Sequence, residues 1–200
     1  MSLGISARRI LMSLVAVTVC GLLGACASPP LTVYTMEAPV AAAASGDRAP
    51  ATGKLKVIEI RRAVVPDALD TQDIVVSRGN ILVRSSSGRW ASRYSLNATH
   101  FLAQQLAQRR PDVLMTDQPQ IEPPSYSIFP TISTLAVTAN GTGTLEADWL
   151  IVPGDPNLPS LRKRGRFTAT GPVATDQDVV SLNTALMYQL ADAIGTSSPW

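Results

Sequence analysis

The chain has 200 residues, of which 46% are hydrophobic, 16% charged and 5% aromatic, with two Cys and a single His. That length suits one domain of ordinary core size, two cysteines cannot build a disulfide framework, and one histidine excludes a metal site made of several. The formal charge of +2 includes Arg8 and Arg9, and without that pair 15 basic side chains stand against 15 acidic ones, so bulk charge points to no nucleic acid and to no basic partner-seeking surface.

Arg8 and Arg9 open an unbroken, weakly polar run over residues 10–23 that exits through Gly24 and Ala25. A basic start, a short apolar run and a small-residue exit make a secretory signal of residues 1–25, because the run falls short of the roughly 20 residues a transmembrane helix needs. Leu23-Gly24-Ala25-Cys26 resembles the lipobox of bacterial lipoproteins, whose small residues give the signal peptidase access to the bond before an acylated cysteine. Cys26 is thus the expected lipidation site and first mature residue, and Cys20 falls in the discarded segment. Each buried methylene contributes about 0.8 kcal/mol, so the triacylated cysteine this resemblance implies would hold the protein on a membrane durably. Ala27 stands where many lipoproteins retained in the inner membrane carry Asp, which favours the outer membrane.

Residues 26–53 carry Pro29, Pro30, Pro39 and Pro50, the alanine run 41–44 and Ser45-Gly46-Asp47, the composition of a flexible tether of about 30 Å. Val33-Tyr34-Thr35-Met36 interrupts it as a short strand or docking segment. The folded domain is expected over residues 54–200. Its first strand spans Leu55 to Arg61, and Ile74-Val75-Val76 and Ile81-Leu82-Val83 follow as a hairpin turned at Gly79-Asn80.

A helix is predicted over residues 92–110, with Tyr94, Ala98, Phe101, Leu102 and Leu106 inward, Ser95, Thr99, Gln104, Gln108 and Arg109 outward, and Pro111 as its stop. Residues 126–138 and 142–152 read as strands joined at Asn140-Gly141. The second places Leu145, Ala147, Trp149 and Ile151 on one face and Glu146 and Asp148 on the other. A strand over 161–169 sets Arg162, Arg164 and Arg166 on one face, suited to an acidic protein partner or lipid phosphates, although a plain solvated face is the simpler reading. The final helix, residues 176–194, has a capping box at Thr175 and Asp178, a stripe of Val179, Leu182, Leu186, Leu190 and Ile194, and Gly195 at its expected stop. Trp90 and Trp149 sit among buried-face neighbours and are expected in the core. The order of elements predicts an α+β fold, a mixed and largely antiparallel sheet covered by two amphipathic helices in a single domain.

Catalytic chemistry has little to stand on. His100 sits mid-helix without a cysteine to pair with and without a partner to orient it. Asp67, Asp70 and Asp73 would serve an acid/base hydrolase, but a Pro-Asp-rich segment entering a strand is also an ordinary turn. No phosphate-binding glycine motif occurs, and no cofactor is expected.

Val33-Tyr34-Thr35-Met36, then Val65-Pro66-Asp67-Ala68-Leu69-Asp70 leading to Ile74-Val75, Arg89-Trp90-Ala91 opening the first helix, Gly143-Thr144-Leu145 with Trp149-Leu150, and Gln189-Leu190-Ala191 near the end share order and spacing with one family. Together with the lipobox, they make the chain resemble the ABC-type transport auxiliary lipoproteins, the PqiC and YmbA group. The resemblance implies a palmitoylated, periplasm-facing outer-membrane lipoprotein serving membrane integrity. It would work beside an ABC permease and ATPase and a mammalian-cell-entry (MCE) domain tunnel protein in lipid transport between the membranes, as an anchor or docking module that is not an enzyme; a homo-oligomeric ring of copies would dock a ring-shaped tunnel symmetrically.

Overall fold

The computed structural model describes residues 30–36 and 55–200. The expected signal (1–25), Cys26 and residues 27–29 and 37–54 of the expected tether lie outside them. Eight strands and two helices follow in order: β1 (Thr32–Tyr34), β2 (Lys56–Ile60), β3 (Asp73–Arg78), β4 (Ile81–Trp90), α1 (Tyr94–Arg109), β5 (Val113–Thr116), β6 (Tyr126–Val137), β7 (Thr142–Pro153), β8 (Leu161–Thr170) and α2 (Asp176–Ser197).

The strands form a three-stranded sheet ordered β1-β4-β3 and a five-stranded sheet ordered β5-β2-β6-β7-β8. A single bridge, Ser77 to Thr138, joins β3 to the end of β6. The long pairings β3·β4, β6·β7 and β7·β8 are antiparallel, while β1·β4, β2·β5 and β2·β6 are short and parallel. The domain is therefore the mixed α+β unit that the order of elements predicts, with its strands divided between two sheets.

Alternation builds the core. Along β7 every second residue is buried, so Leu145, Ala147, Trp149 and Ile151 meet the helices. From α1 come Tyr94, Ala98, Phe101, Leu102 and Leu106, and from α2 Val179, Leu182, Leu186, Leu190 and Ile194. Trp90 stacks edge-on against Tyr94 at 5.7 Å, and the Trp149 indole donates to Ser197 Oγ at 3.0 Å, so both tryptophans are core residues as expected.

Two turns need their glycines. Gly79 (φ +61) turns β3 into β4, and Gly141 (φ +82) turns β6 into β7, both in the left-handed region that costs other residues about 1 kcal/mol or more. A Cβ at Gly141 would also lie 2.2 Å from the Gly171 carbonyl oxygen, whereas one at Gly79 would meet open space.

Four local readings change. The strand option for Val33 and Tyr34 is realised: β1 pairs with Gly88–Trp90 of β4, and Met36 is buried. The folded chain thus starts ahead of residues 37–54, which join β1 to β2. Trp90 ends β4 instead of opening a helix, and α1 starts at Tyr94. Gly195 lies within α2, where its missing side chain lets Leu106 of α1 approach to 3.4 Å of the Cβ position. Finally, β5 is an element that the periodicity of four residues, Val-Leu-Met-Thr, is too short to announce.

Candidate functional site

The predicted basic face lies on the outer strand of the five-stranded sheet, since β8 pairs with β7 alone. Alternation puts Arg162, Arg164 and Arg166 on the side away from the helices, all well exposed. Opposite them in register on β7 are Leu150, Asp148 and Glu146. Asp148 lies 3.9 Å from Arg162 and 3.7 Å from Arg164, and Glu146 lies 3.5 Å from Arg166. Three guanidinium groups therefore meet two carboxylates within the same sheet. The face keeps one net positive charge and loose, solvent-screened pairings that an incoming partner can exchange at little cost. On the other side of β8, the Phe167 ring lies over Gly165, 2.6 Å from where a Cβ would stand, so a glycine within the basic run serves packing.

The acidic candidates do not converge on one site. Asp70 Oδ1 accepts from the Ser95 backbone N–H at 2.9 Å. The N-cap position of α1 is held by Arg93, which makes no side-chain cap, so Asp70 supplies from a preceding loop the acceptor that the helix start lacks. Arg62 and Arg93 lie 3.4 and 3.9 Å from its other oxygen. Burial works against ionisation of Asp70, but the Ser95 hydrogen bonds and the two arginines outweigh it and hold the pKa below the usual carboxylate value. Asp73 is paired with Arg84 at 3.1 Å and Arg89 at 3.2 Å, and Asp67 is exposed.

Two residues expected to face outward are buried instead. Ser95 and Thr99 are 1% and 4% exposed. The Thr99 hydroxyl donates to the Ser95 carbonyl at 2.6 Å and accepts from the Ala63 N–H at 2.9 Å, while Arg62 Nε donates to Ser95 Oγ at 2.9 Å. This polar face of α1 fastens the chain that follows β2. The single histidine also has an orienting group that the sequence did not announce. His100 Nδ1 lies 3.1 Å from Asp117 Oδ2 and Nε2 lies 3.0 Å from the Gln104 amide, beside an open groove of about 300 Å³. The imidazole is thus held between a carboxylate and an amide on an exposed helix flank. Among the described residues, no group of three or more His, Cys, Asp or Glu side chains is gathered to hold a metal ion.

The second N-terminal cluster belongs to α2. Thr175 and Asp178 form the expected capping box, and Asp176 Oδ2 accepts from Ser85 Oγ at 2.8 Å and Ser87 Oγ at 3.1 Å. This binds β4 to the helix start so closely that a Cβ on Gly88 would lie 2.4 Å from the same oxygen.

The family model that matches residues 34–195 is that of the ABC-type transport auxiliary lipoprotein component. The chain belongs to this family. Its members are lipoproteins with an accessory role in ABC-type transport, and it is not an enzyme family. Among solved structures, the fold is similar to a crystal structure of an uncharacterized protein (TM-score 0.66, 14% identity, covering 84% of this chain and 97% of that one). It is also similar to protein XCC0632 from Xanthomonas campestris (TM-score 0.56, 9% identity, 71% and 83%). At these identities the likeness is one of fold. No curated protein matches the chain.

Proposed function

We propose that this chain is a lipid-anchored, periplasm-facing component of an ABC/MCE-type system that moves lipids between the inner and outer membranes, held in the outer membrane through Cys26 and acting as an anchor or docking module without catalysis of its own. The family match over residues 34–195 carries the reading. The lipobox ending at Cys26 and the absence of Asp at position 27 support the anchor and its membrane. The employment of Asp70 as a helix cap and of Asp73 in ion pairs supports binding over hydrolysis. The docking surface we assign to the face of Arg162, Arg164 and Arg166 with the free edge of β8, where unpaired backbone groups and exchangeable charges serve a partner with acidic side chains. An MCE tunnel of ring form would be met by a ring of copies of this chain.

Crosslinking in membranes followed by capture of this lipoprotein tests the reading. Wild type is expected in the outer-membrane fraction with an MCE-domain protein attached, and Cys26→Ser as an unprocessed or soluble species. Glutamate at positions 162, 164 and 166 together is expected to lower the captured partner several-fold. Capture unchanged by the charge reversal would remove the β8 face from the proposal, and recovery of wild type in the inner membrane would overturn its location.

A further inference from the structure

The described residues leave a small set of large apolar side chains in solvent, and three of them are consecutive. Ile81, Leu82 and Val83, at the start of β4, are 66%, 43% and 37% exposed. Successive strand residues point to opposite faces, so exposure of both Ile81 and Leu82 means that the β3–β4 tip leaves the core on both sides, with Val83 at the rim of a groove shared with Val173 and Val179. Arg78 pairs with Ile81 across the turn and makes no ion pair among the described residues, unlike Arg84, which is held by Asp73. Aliphatic side chains at a strand tip beside an unpaired guanidinium suit the boundary between acyl chains and anionic headgroups. They do not suit a second copy of the chain, because three half-exposed side chains fall well short of the roughly 800 Å² per partner of a stable interface.

The direction of β1 identifies the surface. Thr32 pairs with Gly88, and β1 runs parallel to β4, so the N-terminal end of β1 is the end that faces the tip. Gly88 is seven residues along β4 from Ile81, about 23 Å at a strand rise of ~3.3 Å. Six residues separate Cys26 from Thr32, a length of chain that spans at most about 20 Å. We infer that the Ile81-Leu82-Val83 tip, with Arg78, enters the headgroup region of the same bilayer that holds Cys26, giving the domain a second membrane contact and a set orientation. This rests on acylation of Cys26, as proposed above.

The mature lipoprotein has no free thiol once Cys26 is acylated, so Leu82→Cys provides a unique site for an environment-sensitive nitrobenzoxadiazole label. Leu158→Cys, in the exposed loop between β7 and β8 at the far end of the five-stranded sheet, is the control. Each labelled lipoprotein is reconstituted into phosphatidylethanolamine and phosphatidylglycerol vesicles containing doxyl lipid, and flotation and quenching are read. The expected result is flotation of both variants with at least about threefold stronger quenching at position 82 than at 158. Flotation with equal quenching overturns the inference while leaving the anchor intact. A blue-shifted but unquenched label at 82 overturns it in favour of a protein partner on the tip. Failure to float shows that the anchor reading itself is wrong, and the inference falls with it.

Discussion

Replacing Asp70 with alanine separates a carboxylate that holds the fold from one that performs chemistry. The substitution removes the acceptor for the Ser95 N–H at 2.9 Å from a helix that has no side-chain cap of its own, a loss of about 1 kcal/mol and at most about 2. Arg62 and Arg93 are more than half exposed, so their attraction adds only a few tenths of a kcal/mol. The total, about 1–2 kcal/mol at neutral pH, corresponds to a melting temperature lower by roughly 2–8 °C for a domain of this size. Asp67→Ala, at an exposed position, is expected to stay within about 0.5 kcal/mol of wild type. The pKa of Asp70 is depressed in the folded state, so its contribution is present above the unfolded carboxylate value of about 3.9 and is lost as pH falls through the folded pKa. Urea melts of wild type and Asp70→Ala should therefore differ at pH 7 and converge in strong acid. Equal stability at pH 7 would refute the capping argument. Lost transport function in an Asp70→Ala protein that melts like wild type would restore the aspartates as candidates for catalysis.

Trp149→Ala should cost about 3–5 kcal/mol, since the indole is 3% exposed and tied to Ser197, and circular dichroism should show a largely unfolded or low-melting domain; normal folding with lost partner capture would instead mark it as a binding platform. Gly141→Ala should destabilise clearly more than Gly79→Ala in parallel thermal melts, because both sit at positive φ but only the former drives its Cβ onto the Gly171 carbonyl, and equal losses would show that the turn relaxes freely.

Signals confined to a few neighbouring residues were legible in the sequence. The two-residue alternation of β7, the heptad-like stripes of both helices, the Thr175–Asp178 capping box and the glycine turns at 79 and 141 all depend on local backbone geometry and on which side of one element is apolar, so they survive without knowledge of the partner strand. The sequence also carried enough ordered landmarks to reach the family. What it could not express was pairing between distant segments. The parallel addition of β1 to β4, 56 residues away in register, depends on a long closure whose cost and reward leave no mark in the residues 32–34 themselves. The same holds for the choice of Ser95 and Thr99 as buried latches, of Asp70 as a cap borne by another segment, and of Asp117 as the partner of His100: each polar side chain reads as solvent-facing until the tertiary fold brings its acceptor or donor within 3.1 Å. Likewise the basic run of β8 is a row of charges in the sequence, and only the register with β7 sets Asp148 and Glu146 against it, while the apolar triplet of β4 reads only as strand until the fold leaves Ile81 and Leu82 exposed at the tip.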